Sequence, residues 1–454
     1  MPTGVGNQST FRPERRGFGA RGSAVLLACI GVALTLVAAP FATGPAPSFG
    51  GAKNYATGKQ PVSVANGDLD GDGRLDLVTA NSAADTVSVL LNRGDGSFRP
   101  RRDYLVGHSP TSVAIGDLNG DGKPDLVSAN DEADSVSVLL NSGDGSFGAK
   151  RDYQTGDYPW SVAIGDLNGD GKPDLAVTNQ EGTVSVLLNR GEGSFAPNID
   201  YGAETLADSV AIGDLNGDGK LDLAVTNGGS TVSVLLNRGD GSFQAKRDYR
   251  TGDNSESVAI GDLNGDDKPD LMTANEGADT VSVLLNRGDG SFQAKRDYRI
   301  GDTSESVAIA DLNGDSKRDL AVANEEGPVS VLLNRGDGRF QAKLDYRSGG
   351  MPESLVIGDL NGDQRPDLAI ASFRGGVVVL INRPGLCNAQ DVKGMTVGAA
   401  ERTLARANCR VGKIRRAYSR AVKRGRVISQ KPAFGAVRPG GAKVNLVVSR
   451  GRKR

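Results

Sequence analysis

Apolar residues through the middle of this chain fall in short runs of four to seven, rich in Val, Ile and Leu and broken by Gly, Asn and Asp. Runs of that length between turn formers predict β-strands rather than helices. One unit extends from Ser161 through Thr178, resumes over residues 183–189 and, after a glycine-rich turn, ends over residues 195–201, which gives four strands. The unit recurs: aspartates opening the same polar loop stand at Asp68, Asp117, Asp166, Asp214, Asp262, Asp311 and Asp359, at intervals of 48 or 49 residues. Self-similarity at such a period marks a repeat architecture.

Four short strands per repeat, seven times over, predict an all-β, seven-bladed β-propeller of four-stranded blades across residues 48–384. The ends of the array argue for closure. Ser48, Phe49 and Tyr55 copy the fourth-strand residues Ser146, Phe147 and Tyr153, yet they precede the first full unit, and the last unit stops after its third strand, residues 377–382. The N-terminal strand is therefore expected to complete the last blade and leave no open edge.

The polar loops carry the candidate chemistry. In the first, Asp68, Asp70, Asp72 and Asp76 occupy positions one, three, five and nine, with the Arg74 carbonyl at seven. The next three place Asn at position three: Asp117, Asn119, Asp121, Lys123 and Asp125; then Asp166, Asn168, Asp170, Lys172 and Asp174; then Asp214, Asn216, Asp218, Lys220 and Asp222. The last three keep that order, with Asp262, Asn264, Asp266, Lys268 and Asp270, with Asp311, Asn313, Asp315, Lys317 and Asp319, and with Asp359, Asn361, Asp363, Arg365 and Asp367. Alternating oxygens on a tight loop suit a hard cation, and Ca²⁺ takes about six to eight of them. Without a bidentate Glu at position twelve or flanking helices, these are not EF-hands. A plainer reading has Asp and Asn capping turns through their own backbone, which accounts for one or two acids per loop, whereas each loop has three or four. Loops five to seven put Asp267, Ser316 and Gln364 where the first four have a Gly at position six, a place expected to need positive φ, and weaker metal binding is expected there.

The pattern Asp-x-Asn-x-Asp-Gly-x-x-Asp-Leu at fixed spacing resembles the FG-GAP and VCBS repeats, best known from the N-terminal propellers of integrin α chains, over about three quarters of the chain. The resemblance implies strand–loop–strand calcium loops. Arg-Gly-Asp triplets beginning at Arg93, Arg238, Arg287 and Arg335 invite an integrin-ligand reading, but other copies of the same turn carry Ser142 or Glu192, so turn chemistry explains them better. Calcium loops and these turns are expected on one face. The other face is built from the loops that vary most between copies, and it holds the single His108 and single Trp160, with Tyr158, Met351 and Phe373. Exposed aromatics on a rigid scaffold suit a protein or carbohydrate ligand; drift of solvent loops is the alternative.

After residue 384 the periodicity ends. Thr396 is placed to cap a helix through Ala407, with Val397, Ala400, Leu404 and Ala407 at helical spacing, and strands are expected at 409–414, 426–429 and 444–449. Residues 391–396, 427–432 and 439–449 resemble a PASTA domain, the small α+β module of penicillin-binding proteins and bacterial receptor kinases. That resemblance implies contact with peptidoglycan or other cell-wall polymers, or a spacer role. The segment departs from the family in its charge and in Cys387 and Cys409. In an exported chain these two are expected to form a disulfide, worth about 3 kcal/mol from loop closure; buried free thiols are the alternative. From residue 387 onward, 18 Lys and Arg face two acids, which favours polyanionic partners. Nucleic acid is disfavoured by the expected export and by only two aromatics, Tyr418 and Phe434.

Residues 1–23 carry Arg12, Arg15, Arg16 and Arg21, and residues 24–39 carry no charge, which is the shape of an export signal, with residues 1–47 as signal and linker. A retained anchor and a twin-arginine route through Arg15 and Arg16 stay open, and Cys29 superficially resembles a lipoprotein site. One His and three Cys exclude His-rich zinc sites and repeated Ser-His-Asp machinery. The expected protein is an exported, non-enzymatic, calcium-binding scaffold for ligand binding or adhesion at the bacterial envelope. A polysaccharide lyase or hydrolase using Glu256, Glu305 and Glu353 is the alternative, against which stands the fact that every Asp singled out above belongs to a repeated loop.

Overall fold

A computed structural model of the chain describes residues 46–301 and 303–453, so the expected export segment falls outside the described residues except at its end. A short strand β1 (Lys53–Tyr55) precedes the first full unit, which consists of β2 (Pro61–Gly67), β3 (Asp76–Asn81), β4 (Thr86–Leu90) and β5 (Arg102–Leu105) in one antiparallel sheet. Seven four-stranded sheets of this kind follow the repeats in order. The seventh is completed by β1, whose Lys53, Asn54 and Tyr55 stand opposite Val379, Val378 and Val377 of the strand Gly376–Leu380. The expected closure and blade count are both present.

Composition explains the radial order. Equivalents of β3 and β4 interleave Val, Leu and Ala with Asp, Thr, Asn and Ser, and nearly every position is buried, as strands packed between two neighbouring blades must be. Four of the outer strands read Arg-Asp-Tyr and are largely exposed, a charged outer edge that discourages pairing with another chain, whereas Leu344 and Tyr346 of the sixth blade are buried. β2 is innermost. Its Ser63 hydroxyl accepts the Val113 amide of the next blade at 3.3 Å, and Ser354 of the last blade accepts the Val64 amide at 3.4 Å, which closes the ring.

Hydrophobic clusters lie between blades rather than within them; one joins Val87 and Val89 to Val113, Leu126 and Phe147 of the following blade. Each outer-strand Tyr meets a Phe of the next blade edge to face, as Tyr104 meets Phe147 at 5.4 Å and Tyr201 meets Phe243 at 5.2 Å. Such pairs add about 1 kcal/mol beyond the area they bury. The series ends with Tyr346 against Phe49, 4.8 Å apart, so the N-terminal segment supplies the missing ring as well as the missing strand.

The C-terminal unit has one helix, α1 (Val397–Arg406), with Thr396 Oγ1 accepting the Ala399 amide at 3.3 Å as the cap. Strand Lys443–Ser449 lies between Arg410–Ala417, to which it is parallel, and Val427–Lys431, to which it is antiparallel. A further pair, Leu386–Asn388 with Val437–Pro439, was not expected from the sequence. Cys387 and Cys409 are joined, with Cα atoms 4.8 Å apart. Cys387, Ala389, Val392, Ala400 and Leu404 share one hydrophobic cluster with Phe49, Leu344 and Tyr346, so this unit packs directly on the closing seam of the ring. Among the described residues no helix is long and apolar enough to cross a membrane.

Candidate functional site

The antiparallel meander puts the loops between first and second strands, and the turns between third and fourth, on one face of the ring. Within each acidic loop the position-one carboxylate is wrapped by backbone amides: Asp117 accepts from Gly120, Asp121 and Gly122 at 2.8 to 3.1 Å. Asn119 Oδ1 accepts the Asp121 amide at 2.8 Å, and Asp121 Oδ1 accepts the Lys123 amide at 3.0 Å. Position five also faces the side chain at seven; Asp121 and Lys123 lie 3.3 Å apart, Asp72 and Arg74 3.1 Å, and Asp363 and Arg365 3.8 Å. Asp218, Asp266 and Asp315 make the same pairing with Lys220, Lys268 and Lys317, as does Asp170 with Lys172. These bonds are what the turn-capping reading expects.

Position nine does something else. The Asp76 carboxylate is buried and accepts the Leu69 amide at 2.9 Å and the Asn92 amide at 2.7 Å. Asn92 in turn donates to the Leu360 carbonyl, inside the acidic loop of the preceding blade, at 3.0 Å. The pattern recurs from Asp125 with Asn141, which reaches Leu69, through Asp174, Asp222, Asp270 and Asp319 to Asp367 with Asn382, which reaches Leu312. Each acidic loop is therefore the junction between blades. Burial pushes Asp76, Asp125, Asp174, Asp222 and Asp270 up to about 6, and Asp319 and Asp367 to about 7, against the amide bonds and with the neighbouring loop acids adding to the rise.

In the first loop the carboxylate oxygens of Asp68, Asp70 and Asp76 lie within 4.8 Å of one another, and Asp70 Oδ1 is buried with no hydrogen-bond partner. Three oxygens so placed, one of them unsatisfied, can close on a hard cation. Arg99 partly balances them from 3.6 Å. In the remaining loops Asn119, Asn168, Asn216, Asn264, Asn313 and Asn361 replace the second acid. Asp267, Ser316 and Gln364 adopt φ of 61°, 65° and 63°, matching the glycines Gly122 and Gly171 at 80° and 82°, so all seven loops share one backbone. The Arg-Gly-Asp segments are locked into their turns: Arg93 donates to the Phe98 carbonyl, Arg238 to that of Phe243, and Asp95 accepts the Ser97 amide.

On the opposite face the five residues singled out in the sequence do not form one pocket. Tyr158 and Trp160 belong to the third blade, whereas Met351 and Phe373 meet in the seventh, where the Phe373 amide donates to the Met351 carbonyl at 2.9 Å. His108 stands between the first two blades, exposed, 3.0 Å from Asp85. Phe373 borders an open groove of about 510 Å³ shared with Thr57, Lys59, Gln60 and Arg374. Tyr158 is 41% exposed and held at φ 55°, a conformation non-glycine residues adopt only where their surroundings enforce it.

An acidic ring on this face was only half legible. The second residue of each innermost strand stands at one register, as Val62, Thr111, Trp160, Asp208, Glu256, Glu305 and Glu353. The structure gathers Glu256, Glu305 and Glu353, as the sequence suggested, and adds Asp208, Glu276 and Glu325, which it did not. The signal was available: Glu276 and Glu325 each follow the Asn that ends a second strand, and Asp208 occupies the Glu256 register one blade earlier. All three glutamates on the inner strands are buried, which removes them from any polymer sliding over the surface.

Six FG-GAP-like repeats match the chain, over residues 68–128, 117–177, 166–225, 214–273, 262–322 and 311–370, and a PASTA domain matches residues 389–450. The chain belongs to the FG-GAP-like repeat family and carries a C-terminal PASTA domain. Domains of these two kinds are typical of extracellular and envelope proteins and are typically non-catalytic. Among solved structures it is similar to BBS1N in complex with ARL6DN, soaked with mercury, at 12% identity and a TM-score of 0.54, over 75% of this chain and 98% of that one. The lead-soaked form of that complex gives the same values. A lectin from Agrocybe aegerita, which recognises non-reducing terminal N-acetylglucosamine, aligns at 21% identity with a TM-score of 0.47, over 69% of this chain and 86% of that one. At 12% identity the likeness to the BBS1N structures is one of fold.

Proposed function

We propose that the protein is an exported, non-catalytic, calcium-bound propeller that presents a ligand-binding or adhesive face, held at the cell envelope by its basic PASTA domain on peptidoglycan or anionic wall polymers. One observation carries the reading. Among the described residues, none of the ion pairs involves the C-terminal unit, and its cations stand in the open: Arg410, Lys413, Arg415 and Arg416 line an exposed strand, with Lys423 and Arg424 in the loop beyond. Unpaired positive charge on one compact unit beside an acidic ring favours a polyanion and leaves the propeller face free.

The test is sedimentation of the full chain with purified wall polymer, with K413A/R415A/R416A as comparison. Binding that weakens at least tenfold in the triple variant and falls steeply with salt supports the reading; binding indifferent to both overturns the wall-contact half. Calcium is part of the same proposal, with the position-one, three and nine oxygens as ligands and the position-seven carbonyl completing each set. Bound to these loops, the ion would neutralise the carboxylates that now crowd the blade junctions. Chelation is expected to lower the melting temperature of the full chain by several degrees, and an unchanged melt with no bound metal would sink this half.

A further inference from the structure

The acidic ring on the variable face gathers carboxylates from neighbouring blades at close range. The carboxylate oxygens of Glu276, Glu305 and Glu325 come within 4.8 Å of one another, from one innermost-strand position and the ends of two second strands in neighbouring blades. Glu256, Glu305 and Glu353 are 4%, 1% and 0% exposed. One oxygen of Glu256, one of Glu305 and both of Glu353 have no hydrogen-bond partner. Among the described residues, no Lys or Arg is ion-paired with Glu256, Glu276, Glu305 or Glu353; the nearest polar help is Asn254, which donates to both Glu256 and Glu276, at 2.8 and 2.5 Å.

Buried carboxylates in such numbers must be neutralised, either by protons or by a cation. Burial first, and mutual repulsion second, push Glu256 up to about 8, Glu353 to about 9 and Glu305 well above the usual range. Protons alone leave the problem half solved, because a protonated carboxyl still has an O–H to donate and a carbonyl to satisfy, and one buried oxygen of Glu305 has no partner. A cation satisfies both. Every donor is a carboxylate oxygen, which selects a hard ion. Two oxygens bound to one Ca²⁺ at about 2.4 Å stand at most about 4.8 Å apart, and the three gathered carboxylates meet that limit.

We propose that Glu276, Glu305 and Glu325 hold a divalent cation of the calcium class between the fifth and sixth blades, at the face opposite the acidic loops, with Glu256 and Glu353 alongside as outer carboxylates. This site does not depend on the loops binding metal.

Trp160, the only tryptophan in the chain, stands at the same register as Glu305 and makes the site separable from the loops. Innermost strands of seven residues rising about 3.3 Å each put the loops about 20 Å away. The experiment loads the full chain with Tb³⁺ and excites tryptophan selectively, alongside metal analysis of the Ca²⁺-equilibrated protein. In E305Q and E325Q, sensitised emission is expected to fall at least fivefold and the bound-ion count to drop by one, whether or not loop ions are present. In D117N, an acidic-loop change, emission is expected to persist. Neutralising a buried acid relieves repulsion, so both glutamine variants are expected to fold, and either one alone decides. Unchanged emission and unchanged ion count in a folded variant would overturn the proposal, as would a wild type that shows no tryptophan-sensitised emission.

Discussion

Asp125 accepts the Leu118 amide at 3.0 Å and the Asn141 amide at 2.7 Å with its two oxygens, and no neutral side chain can reproduce that. Replacing it by Asn keeps one acceptor and turns an N–H donor against the other amide. Asp125→Asn is therefore expected to cost about 2 to 3 kcal/mol, the order for stranding a buried donor. Asp121→Asn, four positions earlier and half exposed, loses only a local ion pair with Lys123 and is expected to stay within about 0.5 kcal/mol. Urea denaturation of both variants in chelator separates the two roles without calling on metal. Equal effects would mean that position nine is not the junction between blades. Position six offers the opposite sign. Gln364 is held at φ 63°, where a side chain is strained, and nothing about its role requires glutamine, so Gln364→Gly is expected to stabilise the chelated protein by about 0.5 to 1 kcal/mol. A loss of stability on the same measurement would show that the side chain makes contacts worth more than the strain.

The Tyr and Phe of each outer turn act as a pair across blades, and the Tyr hydroxyl adds a bond to the next turn, as Tyr201 does to the Gly241 carbonyl at 3.1 Å. Tyr201→Phe keeps the ring contact and removes the bond, with an expected cost of about 1 kcal/mol in urea denaturation. Phe243→Ala removes the ring from a buried site and is expected to cost about 3 to 5 kcal/mol. Elements of this kind are readable in the sequence alone, because each repeat can be compared with the other six. A residue recurring at one register seven times, such as Asp76 or Tyr55, announces a role in the repeat. The strands, blade count and closing strand followed from that register, whereas the cap at Thr396 was legible from the helical spacing of the apolar residues behind it. What escaped was the chemistry of residues that do not repeat. Glu276 and Glu325 look like loop acids in a linear string, and only the curvature of the ring carries them toward Glu305. Trp160 and Phe373 looked equivalent as rare aromatics, yet closure sets them three blades apart. The pair Leu386–Asn388 with Val437–Pro439 was illegible because neither segment is long or apolar enough to announce a strand.

Ring closure in this molecule is a joint between three pieces of chain, and the C-terminal unit is one of them. Pro47 accepts the Tyr346 hydroxyl at 2.5 Å, and Ser48 donates its hydroxyl to the Leu386 carbonyl at 2.9 Å. Asn388 donates to the Phe49 carbonyl at 2.8 Å, while Gln390 exchanges two bonds with the Asp345 backbone, at 2.7 and 2.9 Å. Arg347 lies over the Phe434 ring at 5.2 Å, and the apolar cluster behind these bonds runs through both units without a break. A tether joined by a flexible linker would leave the propeller indifferent to its tail, whereas a shared core makes each unit part of the other's stability. The closing strand has only three paired residues, Lys53 to Tyr55, and it alone among the outer strands does not follow in sequence the strand it pairs with. Breaking the joint from the C-terminal side should therefore be felt on the N-terminal side. In the variant N388A/Q390A, hydrogen exchange of the amides in Lys53–Tyr55 and Gly376–Leu380 is expected to quicken by at least tenfold, while the equivalent strands of the third blade, Thr183–Leu187 and Ile199–Gly202, stay unchanged. Exchange that is unaltered at the seam, or raised equally in every blade, would mean that the basic domain is cargo on a ring that closes by itself.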